Sequence, residues 1–177
     1  MKPNYSKRAH LRVLASGALC IACLGGSAIA AAAESEYYKS EIAKAAALYK
    51  LEKQHCDSLD GNARDVCLQR AAAHLKIAEA DIRAYDKNTT AAGISAEKER
   101  IEQLYKVDKE KCDALSGNAE DICDAEADAV KLRREGNLKA LTARLEGHYR
   151  VAIEKCEALP KEQRADCKDA AERNYKP

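Results

Sequence analysis

The chain has 177 residues, 33% of them charged, a formal net charge of +1, and neither Trp nor Phe. A balance of 30 basic against 29 acidic residues, mixed in sign along the chain, excludes a basic arm for nucleic acid. Beyond residue 33, Leu, Ile and Val are sparse and the remainder is mostly Ala, Glu, Lys, Arg and Asp. That composition excludes one thick globular core but favours long helices with narrow apolar seams.

Residues 1–33 read as a secretory signal peptide. Lys2, Lys7, Arg8 and Arg12 precede an apolar run from Val13 to Ala33, with small residues available for cleavage after Ala30 or Ala33. Gly17, Gly25, Gly26 and Ser27 dilute the run, which argues against a retained membrane anchor. Four basic residues, Cys20 and Cys23 would leave with it, so the mature chain would carry six of the eight cysteines. An even number of cysteines in an exported chain points to disulfides.

The first predicted element pair spans residues 34–88. Tyr38, Ile42, Ala45, Tyr49, Cys56 and Leu59 form one helical seam, with the polar Glu52 inside it. Leu68, Ala71, Leu75, Ala78, Ile82 and Tyr85 form the facing one. Between them lies CDSLDGNARDVC, Cys56 to Cys67. Gly61, like Gly117 in the copy that follows, suits the left-handed position that ends a helix, and Asn62, like Asn118, suits the N-cap of the next. Residues 89–94 then break the pattern and read as a linker, with Ser95 placed to cap a new helix.

Residues 95–177 carry the same unit twice more. CDALSGNAEDIC spans Cys112 to Cys123, and CEALPKEQRADC spans Cys156 to Cys167. In all three copies Tyr stands seven residues before the first cysteine (Tyr49, Tyr105, Tyr149) and Ala four after the second (Ala71, Ala127, Ala171). In the third copy Leu159-Pro160 replaces the Gly-Asn turn, with Pro suited to a first helical position. Between the second and third units the helical pattern runs from Asn118 to Leu159. Gly136 and Gly147 leave open one very long helix or a bend.

Spacing decides what the cysteines do. In a continuous helix, residues eleven apart lie about 16.5 Å apart along the axis, beyond any disulfide. A chain reversal between them brings each pair level, so Cys56–Cys67, Cys112–Cys123 and Cys156–Cys167 read as staples. Zinc sites and redox pairs usually space their cysteines more closely. The expected fold is all-α: elongated, coiled-coil-like antiparallel hairpins, each stapled beside its turn. The second and third would share a long central helix.

The Tyr-Lys-x5-CDALSGNAEDIC stretch, with Ala/Lys/Glu-rich flanks and a signal peptide, resembles a group of small secreted proteobacterial proteins often labelled TolA-like cell-envelope biogenesis proteins. The resemblance is strongest over residues 97–127, and the Pro160-Lys-Glu-Gln turn departs from it. It implies export, to the bacterial periplasm, and no particular activity. No phosphate loop, nucleophile elbow or His-x-x-x-His motif occurs. Acids such as Asp121 and Asp124 are expected by chance in so charged a chain. The expectation is therefore a non-enzymatic envelope protein, structural or interacting, with no catalytic residue, cofactor or metal set. Its partner would be another envelope protein or a second copy, with no nucleic acid and no membrane span in the mature chain. The alternative is a metal- or stress-responsive periplasmic binder using His55, His74 and His148.

Overall fold

The structure, a computed structural model, describes residues 35–177; the expected signal peptide lies outside them. Among the described residues every regular element is helical: α1 Glu36–Cys56, α2 Gly61–Lys87, α3 Thr90–Cys112, α4 Asn118–Glu157 and α5 Arg164–Tyr175. A single 3₁₀ turn, Lys161–Gln163, precedes α5. The helices meander: α1 packs on α2, α2 on α3, α3 on the first part of α4, and α5 on the last part. None is long and apolar enough to cross a membrane.

The core is thin, as the composition requires. The largest fully buried side chains are Cys56, Cys112 and Cys156. Each is the first cysteine of its copy, bridged to Cys67, Cys123 and Cys167 respectively, with Cα separations of 5.5, 5.6 and 5.6 Å. The repeated alanines Ala71, Ala127 and Ala171 are also buried, which lets the two arms of each hairpin approach. One further apolar cluster, Ile94, Ile101 and Leu138 with Leu145 against it, joins α3 to α4.

Several local expectations are corrected. Gly61 and Gly117 do adopt positive φ, +56° and +59°. They do not end the preceding helices, however, because α1 and α3 stop at the cysteines, with Asp57 and Asp113 in right-handed conformation. The glycines instead open the following helices, so Asn62 and Asn118 lie inside the first turn rather than at the cap. Asn62 uses its side-chain amide to donate to the Glu110 carbonyl of α3, 2.9 Å away. Pro160 precedes the 3₁₀ turn rather than starting a helix.

The expected linker 89–94 is almost wholly helix. Asn88 takes the left-handed C-cap of α2 (φ 46°), and Thr89 caps α3 by accepting from the Ala92 N–H at 3.2 Å. Ser95 sits one turn inside α3, donating to the Ala91 carbonyl. A tight two-residue connection therefore replaces the linker, and α2 and α3 share the most extensive helix contact of the chain. Ala73, fully buried, belongs to a second face of α2 that the seam reading omitted. Tyr85, expected in the seam, is 69% exposed and packs against Tyr37, the rings tilted by 43° with centroids 4.8 Å apart.

α4 passes through Gly136 and Gly147 without a break. Its 40 residues span about 60 Å, long enough for α3 and α5 to lie end to end along it. Where they meet, the Thr90 hydroxyl donates to the Asn174 carbonyl at 2.6 Å. Two interior glycines cost about 1 kcal/mol each in helix propensity. The packing of Leu138, next but one to Gly136, offsets that cost on the α3 side.

Candidate functional site

The three hairpins repeat one geometry and differ in what decorates it. One level beyond the bridge, the repeated tyrosine reaches an acid on the opposite arm. Tyr105 donates to Asp128 at 2.8 Å, and Tyr149 to Glu172 at 3.3 Å. Each ring also carries a lysine near its face, Lys131 at 4.3 Å and Lys176 at 6.0 Å. By accepting a hydrogen bond from the Tyr105 hydroxyl, Asp128 holds that phenol above its ordinary range, with desolvation acting the same way. In the first copy the corresponding position is Ala72, so Tyr49 has no such partner.

The first hairpin places a different pair across the same seam. His74 Nδ1 on α2 and Glu52 Oε1 on α1 lie 2.9 Å apart. Beside them, a groove of about 460 Å³ runs down to the bridge, lined by Leu51, His55, Leu59, Cys67, Arg70 and Ala71. Two of the three histidines weighed from the sequence thus share one groove. The third, His148, lies on α4 beside Tyr175, with ring centroids 6.0 Å apart. Among the described residues no group of three His, Cys, Asp or Glu side chains is arranged to hold a metal ion.

The outer edge of the same hairpin is apolar. Leu48 and Leu51 are 54% and 63% exposed. They share a helical stripe with Tyr37, eleven residues before Leu48, and the ion pair of Glu41 and Lys44 stands on that stripe between them. α1 packs on α2 and has no comparable contact with another helix, so among the described residues nothing covers this edge. A second groove, about 620 Å³, lies between α3 and α4 over Ile101 and Leu138, with walls of mixed charge from Lys98, Glu102, Glu135 and Lys139.

The seam pattern located Glu52 as a polar intruder but could not show its partner, because His74 comes from another helix. The Tyr37–Tyr85 ring contact was equally out of reach, since neither ring has a repeated counterpart. Comparison with protein-family models, with curated proteins and with solved structures yields no match.

Proposed function

We propose that the chain is a non-enzymatic helical protein of the bacterial cell envelope, working in the periplasm as a structural or protein-interaction element. The observation that carries this reading is the exposed pair Leu48 and Leu51 of α1, with the Tyr37–Tyr85 ring contact farther along the same hairpin, none of them covered by another helix among the described residues. Aligned large apolar side chains on a chain this poor in them mark a contact surface more than a packing accident. Surrounding charge of both signs keeps such a surface soluble and its contacts reversible. Three disulfides fit an oxidising, extracytoplasmic environment. They also supply rigidity to helices with little core, which suits a scaffold that presents a face.

The test is photo-crosslinking in cells that export the chain, from reactive residues placed at Leu48, at Leu51 and, for comparison, at the exposed Leu132 of α4. Discrete adducts from the two α1 positions and none from Leu132 are expected. Absence of adducts, or the same pattern from all three positions, overturns the reading. The mass of the adduct separates a second copy from a different envelope protein.

A further inference from the structure

The first hairpin departs from its copies at three positions that face one groove. Counted from the first cysteine, Glu52, His55 and His74 correspond to Asp108, Lys111 and Val130 in the second copy, and to Ala152, Lys155 and Asn174 in the third. In the second copy the acid is neutralised on its own terms. Lys111 donates to Asp108 at 2.7 Å, and Arg134 lies 3.8 Å from its other oxygen. In the first copy the lysine is replaced by an imidazole, and Glu52 is left half satisfied. Oε1 meets His74, whereas Oε2 is buried without a hydrogen-bond partner.

A buried carboxylate oxygen without a donor is costly, and the groove holds room for something to relieve it. The chemistry present is one carboxylate and two imidazoles. Glu52 and His55 form a Glu-x-x-His pair on one helix, a spacing by which helical bundles aim metal ligands inward. His74 approaches from the antiparallel helix. Side chains tilt toward the N-terminus of their own helix. On α1 that carries His55 away from the bridge, and on α2 it carries His74 toward it, which narrows the six-residue difference in level between the two positions.

We propose that the first hairpin binds one divalent transition-metal ion, zinc by ligand type, through Glu52, His55 and His74. The ion takes the place of the proton between His74 Nδ1 and the Glu52 carboxylate and is held by both carboxylate oxygens, so that Oε2 gains the partner it lacks. Two ligands of a tetrahedral zinc stand about 3.3 Å apart, so that pair, at 2.9 Å, needs to open by only a few tenths of an ångström. His55, exposed at the groove wall, completes the set by side-chain rotation, and water fills the fourth position. Arg70 lines the same groove and opposes the charge of the ion, which sets the site toward moderate rather than extreme affinity.

Calorimetric titration of the oxidised, chelator-stripped chain with Zn²⁺ tests this. One ion per chain is expected, together with a zinc-dependent rise in Tm. Glu52→Gln, His55→Ala and His74→Ala should each weaken binding by more than the about tenfold that loss of an outer partner costs. His148→Ala should bind as the parent does, and Arg70→Gln should bind more tightly. Helical circular dichroism of each variant shows that the hairpin is intact, and His74→Gln replaces His74→Ala if it is not. No saturable uptake, or uptake indifferent to His74, overturns the site. Binding lost with His74 but unchanged in His55→Ala overturns the three-ligand arrangement.

Discussion

Tyr105 and Asp128, 23 residues apart, are joined by a hydrogen bond of 2.8 Å across the second hairpin, and Lys131 lies over the same ring. Tyr149 and Glu172 repeat the relationship at the same separation. The tyrosine therefore ties the two arms one level beyond each of these bridges. Tyr105→Ala should lower Tm by about 2–8 °C, whereas Tyr105→Phe should lose only the hydrogen bond and fall less. In an alkaline absorbance titration, the Asp128→Asn variant should ionise one tyrosine at lower pH than the parent, because the carboxylate holds the Tyr105 phenol up. An unchanged titration would detach the ring from that acid.

The bridges should dominate stability, because the first cysteine of each is the largest fully buried side chain of its hairpin. Each closes a loop of eleven residues, for which the chain-entropy account gives about 3 kcal/mol. Reduction should therefore melt most of the helix seen by circular dichroism at 37 °C. Non-reducing peptide mapping should return Cys56–Cys67, Cys112–Cys123 and Cys156–Cys167. Pairing across copies would contradict the hairpins.

The glycines divide into two kinds, and alanine substitution should separate them. At Gly117 a Cβ meets nothing within 4 Å, yet φ is +59°. Gly117→Ala should cost about 1–2 kcal/mol through backbone strain alone. Gly93, Gly136 and Gly147 have equally open surroundings without positive φ and lie inside helices. Each should gain about 0.5–1 kcal/mol as alanine. Thermal melts of the four variants check both signs.

Acid should weaken the fold modestly. Lys131 beside Glu102, Lys168 beside Glu157 and Lys176 beside Glu172 each hold the carboxylate below its ordinary range. The unfolded chain therefore takes up protons first as pH falls. The stabilisation is complete above the ordinary carboxylate range and is lost as pH drops through about 4 and below. These pairs are exposed, so the loss of Tm should be small and should shrink further in high salt. A Tm that rises on acidification would reverse the assignment.

Much of the architecture is local and so was legible in one dimension. Helix type follows from spacing and propensity, chain reversal from Gly61, Gly117 and Pro160, and the bridges from a separation that a straight helix cannot close. Those signals act over a few residues, within reach of neighbours along the chain. Only tertiary structure decided which faces meet. Ala73 is buried because α2 has a second neighbour, α3, and Asn88 with Thr89 suffices as a turn because those helices pack side by side. α4 stays continuous through Gly136 because α3 packs along its first half, with α5 following on the second. Glu52 and His74 meet because antiparallel packing sets α1 and α2 in register at the Cys56–Cys67 bridge. Each of these depends on groups distant in sequence, whose contact energy no window along the chain contains.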